Sequence, residues 1–153
     1  HLGFSTTTGM FSGFEGRIEL DAEDPAASSV EVSFPAQSLI TGWPAREGHF
    51  LTEDFFSADA NPLVTFTSTA VEVTSDNTGM ITGDLTMNGI TKSVVLDATM
   101  NQLANHPMAN RPWAGFDATT TLLRSDFDMG KFAPFVGDEI AINISIEAMV
   151  PAD

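Results

Sequence analysis

A chain of 153 residues suits one domain, expected over residues 1–153, and a domain of that size buries roughly 68–70% of its unfolded surface without covalent staples. The chain has no cysteine, which excludes disulfides and thiolate metal sites. With 21 acids against 6 bases the formal net charge is −15, so a phosphate backbone is repelled and nucleic acid is excluded as a partner. The acids are spread along the chain, as for a solvated exterior. No apolar run is long enough to cross a bilayer, so no stable membrane insertion is expected. No basic segment precedes an apolar one at the start, so no signal peptide is visible.

Threonine, serine, valine, isoleucine and phenylalanine, punctuated by glycine and asparagine, make a β composition. In chain order, Phe14 to Leu20 alternates through Ile18 and Leu20, and Val30 to Phe34 alternates cleanly. Between Phe34 and Pro62 the pattern changes. Trp43 to Phe50 predicts a short helix with Pro44 in its first turn, and Thr52 before Glu53 and Asp54 predicts a second helix start. Helical turns are expected only between about Gly42 and Ser57, as a lid. Leu63 to Val73 is a long strand whose apolar phase shifts between Phe66 and Val71, which predicts a bulge. Asn88-Gly89 between two alternating runs predicts a type I′ hairpin, with Met87 opposite Ile90, Leu85 opposite Lys92 and Ile81 opposite Leu96. Asn101 to Pro112 has no periodicity and is expected to be a loop. Trp113 to Leu123 alternates again. Finally, Glu139 to Glu147 puts Ile140, Ile142, Ile144 and Ile146 on one face and Ala141, Asn143 and Ser145 on the other. Seven strands result, with no 20–50 residue repeat.

Chemical motifs are sparse. His1, His49 and His106 form no zinc spacing. Asp126-Phe-Asp128-Met-Gly130 has Lys131 where a calcium loop needs glycine and Gly137 where it needs glutamate. There is no nucleophile elbow and no phosphate-binding glycine loop. No catalytic residue and no metal site is therefore assigned. Arg46 and His49, at i and i+3 of the short helix, share one face. They suit either a polar headgroup, such as a carbonyl or phosphate, or a local ion pair or cap with Glu47, Glu53 or Asp54. Trp43, Phe50, Phe55 and Phe56 either line a mouth or pack a lid. Phe66, Leu85, Met87, Val94, Leu96, Phe116, Ile142 and Ile144 either fill a core or line a cavity. Small inward residues, Gly83, Ala98, Ala118 and Thr120, leave room between the large ones.

A series of short motifs runs the length of the chain. His1-Leu-Gly-Phe-Ser5 is followed by Gly9-Met-Phe11, Phe14-Glu-Gly16, Asp24-Pro25, Arg46-Glu-Gly-His49-Phe50, Asp54-Phe-Phe56 and Asn61-Pro62. Then come Thr65 to Thr69, Gly83 to Lys92, Gly115-Phe116 and Val136-Gly-Asp-Glu139. In this order and spacing the chain resembles the YceI-like polyisoprenoid-binding family over nearly its whole length. The resemblance implies an all-β, antiparallel eight-stranded lipocalin-like barrel whose interior is a tunnel for a long isoprenoid or similar chain. That family has a strand before the His-Leu-Gly motif, so seven of its eight strands are expected here. The family's Arg-Asp-x-His-Leu is Arg46-Glu47-Gly48-His49-Phe50 in this chain, with the carboxylate on a longer arm.

The resemblance also implies a bacterial periplasmic or secreted protein that sequesters or carries a polyprenyl chain. The expected ligand is an isoprenoid lipid such as a prenyl quinone or a polyprenyl phosphate. No cofactor is required and no enzymatic activity is expected. A homodimer through an open sheet edge is a further expectation. Two alternatives are an enzyme acting on a lipid or quinone in the same cavity, and an interaction module using an outer patch around Trp113 or Trp43.

Overall fold

The computed structural model of the chain describes residues 1–151. The strands are β1 (Glu15–Glu19), β2 (Ser29–Pro35), β3 (Leu63–Val73), β4 (Thr78–Met87), β5 (Ile90–Asn105), β6 (Pro112–Leu123) and β7 (Glu139–Met149), with one helix, α1 (Pro44–Phe50). Each strand is antiparallel to the next, and sheet order is chain order. The sheet curls into a half-barrel with β1 and β7 as its edges.

The hairpin is as the alternation predicts. Asn88 and Gly89 have φ of +51° and +71°, as a type I′ turn requires. The turn fixes Met87 opposite Ile90, Leu85 opposite Lys92, Gly83 opposite Val94 and Ile81 opposite Leu96. Lys92, the polar intruder on the apolar face, is exposed beside the turn. In β3 the register slips between Ser68 and Ala70, at the place where the apolar phase shifts.

Three sequence expectations are corrected. Asn101 to Pro112 is not all loop: β5 runs to Asn105, and Leu103 lies opposite Ala114. A second register slip between Met100 and Gln102 breaks the period there and hides the strand's end from a pattern reading. Thr52 does not start a helix. Its hydroxyl donates to the His49 carbonyl at 2.7 Å, so it closes the end of α1, and turns follow. Helical turns are also not confined to the lid, since single 3₁₀ turns occupy Pro25–Ala27, Ala36–Ser38 and Arg124–Phe127.

The large buried side chains gather at one end of the sheet. Phe55, Leu122, Phe127 and Met129 form one cluster, with Phe50, Phe56, Leu85, Met87, Val94 and Ile142 packed against it. Ala36, Ala58 and Val64 form a second, sharing Phe56, Leu85 and Met87. The lid and the β6–β7 connection thus stopper the end that carries the Asn88-Gly89 turn. Residues 1–14 cross this end as a strap. The Leu2 N–H donates to the Phe135 carbonyl at 2.8 Å, and Met10 and Ile40 exchange two backbone bonds of 2.9 Å. Phe11 then packs on Phe34 and Phe56.

Candidate functional site

Strand alternation builds one apolar concave face. Cross-strand rows run over it: Val71 beside Ile81, Thr120 beside Ile142, and Met100 beside Phe116 and Ile146. Between them lies a row of small residues, with Gly79 opposite Ala98, Ala98 opposite Ala118, and Ala118 opposite Ile144. This row makes a low belt across the sheet. Away from the stoppered end no element packs on the face. Leu96, Phe116, Ile144 and Ile146 are accordingly only half-buried.

The whole surface shows the same openness. It is 9894 Å², against about 7,500 Å² expected of a compact monomer of this length. Among the described residues eleven apolar ones are buried, and five of them are alanines, so large side chains do not fill the concave face. The result is a trough, stoppered at one end and open at the other.

The sequence candidates divide between stopper and trough. Phe55 is 6% exposed and belongs to the stopper core, where its ring meets those of Phe50 and His49. Phe50, Phe56, Leu85, Met87, Val94 and Ile142 pack around that core. Leu96, Ala98, Phe116, Ala118 and Ile144 form the unstoppered stretch. Phe66 is buried, and its ring lies across Gly83: a Cβ there would clash with it. Gly83 is therefore a seat for Phe66, not space for a ligand. Trp43 is 58% exposed and stacks under the Arg46 guanidinium at 5.3 Å.

Arg46 and His49 share no partner. Arg46 donates from Nε to the Thr41 hydroxyl (3.2 Å) and from Nη1 to the Thr7 hydroxyl (3.2 Å). These partners are neutral, so its charge meets no carboxylate among the described residues. His49 Nε2 lies 2.8 Å from Asp54 Oδ2, and Lys131 Nζ pairs with the other Asp54 oxygen. Hydrogen bonds from Lys131 first, and from His49, hold the Asp54 carboxyl below the usual aspartate range. Glu47 pairs with neither Arg46 nor His49. It accepts the backbone N–H groups of Thr41 (2.5 Å) and Gly42 (2.9 Å), and these bonds lower its pKa.

Sequence reasoning missed the β6–β7 connection. Arg124 donates to the carbonyls of Met129 (2.5 Å), Gly137 (2.9 Å) and Val136 (3.0 Å), pinning the loop that carries Phe127 and Met129 into the stopper. Ser125 donates its N–H and hydroxyl to Asp138, whose pKa those bonds lower. The available signal was the Phe127, Met129 pair at i and i+2 between acids, in the stretch weighed as a calcium loop. Among the described residues no group of three or more His, Asp or Glu side chains is placed to hold a metal, and no charged side chain is buried. One cleft of about 360 Å³ lies outside the trough, between Glu53, Asp54 and the loop at Ser125, Asp128 and Lys131.

Comparison with known proteins follows the fold. A family model described as a YceI-like domain matches residues 1–148. A UPF0312 protein of Ectopseudomonas mendocina is 38% identical over 149 residues, 97% of this chain and 78% of that protein. A UPF0312 protein of Pseudomonas putida is 37% identical over 97% of this chain and 77% of its own length. Among solved structures, the Campylobacter jejuni YCEI protein matches with a TM-score of 0.89 at 29% identity, covering 99% of this chain and 90% of that one. Burkholderia cenocepacia BcnA matches with a TM-score of 0.86 at 25% identity, over 96% and 91%.

Proposed function

The chain belongs to the YceI-like family, and from that premise we propose that it binds a long isoprenoid lipid along its trough and sequesters or carries it. The ligand is a polyprenyl chain, such as that of a prenyl quinone or a polyprenyl phosphate. The observation that supports this reading is the concave face itself: an apolar surface, level with the low belt at Gly79, Ala98 and Ala118, with no core laid over it. Leaving such a face wet is costly, and each buried CH₂ of a ligand is worth about 0.8 kcal/mol. A chain of roughly 40 carbons would nominally exceed the practical ceiling of non-covalent affinity, so ordering the chain must offset much of the gain. The tail therefore sets affinity and polar groups set orientation. Arg46 is the polar group proposed for the head, because its charge has only hydroxyl and carbonyl partners. His49, committed to Asp54, braces the lid. The activity is carriage, without chemistry on the lipid, and the setting is the bacterial periplasm or exterior.

The belt supplies the test. Ala98→Phe and Ala118→Phe raise its floor, and lipid content per protein should fall several-fold while the fold persists. Overpacking a filled core would instead cost about 1–3 kcal/mol of stability. Lower stability with unchanged lipid content would contradict the proposal.

A further inference from the structure

The open end of the trough carries an unusual projection. Thr78 lies opposite Thr99 and the Met100 N–H still donates to the Asn77 carbonyl at 2.8 Å, so β5 outruns β4 only beyond Met100, where it pairs with β6. The hairpin continues through Gln102 to Asn105, turns, and returns at Pro112. Residues 98–116 contain none of the chain's 21 acids. In a protein of net charge −15, this is the longest stretch of sequence without an acid.

The tip is preorganised. His106 Nδ1 accepts the N–H groups of Met108 (3.2 Å) and Ala109 (3.1 Å), and the Asn110 N–H donates to the His106 carbonyl at 2.8 Å. These bonds hold Met108 outward at 90% exposure, with Leu103 at 45% behind it. The Trp113 ring lies 4.7 Å from the His106 ring, with the Arg111 guanidinium 5.9 Å from it on the same residue. The Trp113 indole donates to Glu147, the nearby acid, which is thereby occupied. Arg111 forms no ion pair with a described residue, and its Nε is buried with no partner.

From this geometry we infer that the β5–β6 hairpin docks the open mouth of the trough onto the headgroup layer of a phospholipid bilayer. Met108 enters the acyl boundary. Trp113 sits at the interface, where an amphipathic ring is favoured. Arg111 takes a lipid phosphate with its two terminal guanidinium nitrogens, while its Nε stays buried. The rest of the molecule is acidic and repelled by anionic membranes, so docking favours zwitterionic lipid. The inference rests on the lipid-carrying reading, because a mouth facing the bilayer lets a head lead into the trough and its tail follow.

Flotation of the intact chain with phosphatidylcholine vesicles tests it, alongside vesicles of phosphatidylcholine mixed with phosphatidylglycerol. The parent should float, and should float better with phosphatidylcholine alone. Met108→Asp, at a fully exposed tip, and Arg111→Gln should each cut the bound fraction by about fivefold or more. Lys92→Gln, an exposed base at the stoppered end, should float as the parent does. No flotation of the parent would overturn the inference, as would equal flotation of Met108→Asp and Arg111→Gln. Release from vesicles by excess inorganic phosphate would also overturn it, since that marks a phosphate site instead of a surface. Organic extraction of the same protein separates the two readings: lipid content without flotation removes the docking surface alone, and flotation without lipid content removes the trough reading alone.

Discussion

Asp54 ties α1 to the β6–β7 connection, with His49 on one oxygen and, on the other, Lys131, which lies 77 residues beyond Asp54 in sequence. Its pKa is lowered in the folded state, so the unfolded chain takes up the proton first as pH falls. The stability it contributes is fully present above the ordinary aspartate value, about pH 4, and disappears as pH drops through the lower folded value. Asp54→Asn should therefore lower the melting temperature modestly at neutral pH and flatten part of the acid limb below about pH 4. Melting curves across that range check it. Arg46 and His49 should behave differently from each other. Arg46→Ala should weaken a prenyl phosphate by about 1.5–3 kcal/mol and leave a headless hydrocarbon of equal length unaffected. Arg46→Lys should recover only part of that loss. His49→Ala should lower the melting temperature and leave the difference between the two ligands unchanged. Titration of each variant with both ligands reads this directly. The sequence placed Arg46 and His49 on one helical face, but not their partners. Thr7 and Thr41 are distant or local hydroxyls that no spacing singles out, whereas Asp54 was among the acids weighed.

At the level of elements, strands were legible wherever one face is apolar and the other wet, because a period of two survives any change of residue type. The Ile140 to Ile146 alternation and the Asn88-Gly89 turn each constrain a register without help from the rest of the fold. Legibility ended where a register slips. The slip in β3 was readable because Phe66 and Val71 are large and apolar, so their change of phase shows. The slip at Met100 was not, because Asn101, Gln102 and Asn105 carry no strong face. The lid was half legible: Pro44 marks the start of α1, but Thr52 serves equally as a first or last capping group, and only the fold chooses. The hairpin also has a long-range duty. Asn88 Nδ2 donates to the Phe127 carbonyl at 3.0 Å, tying the β4–β5 turn to the stopper. Asn88→Ala loses that bond and a residue tolerant of the left-handed region, and should cost about 1–3 kcal/mol. Chemical denaturation should show a lower midpoint with an unchanged slope. An unchanged midpoint would mean that the turn and the stopper are not coupled.

For the whole molecule, the concave face is the feature that binds these details to a function. Its sides are strands whose inward residues are apolar, its floor is lowered by a row of small residues, and one end is closed by the lid and the Arg124-pinned loop. Composition could not distinguish this from a filled core, because Ile142 and Ile144 satisfy either. What distinguishes them is placement: the large side chains gather at the stopper, and alanines occupy the belt. The measurement that tests the account most directly is mass spectrometry of an organic extract of the purified protein, quantified against protein. One dominant isoprenoid species near equimolar amount is expected, diminished in Ala98→Phe and Ala118→Phe. An extract with no lipid above the solvent blank, from protein that is folded and also takes up no added prenyl chain, would contradict it.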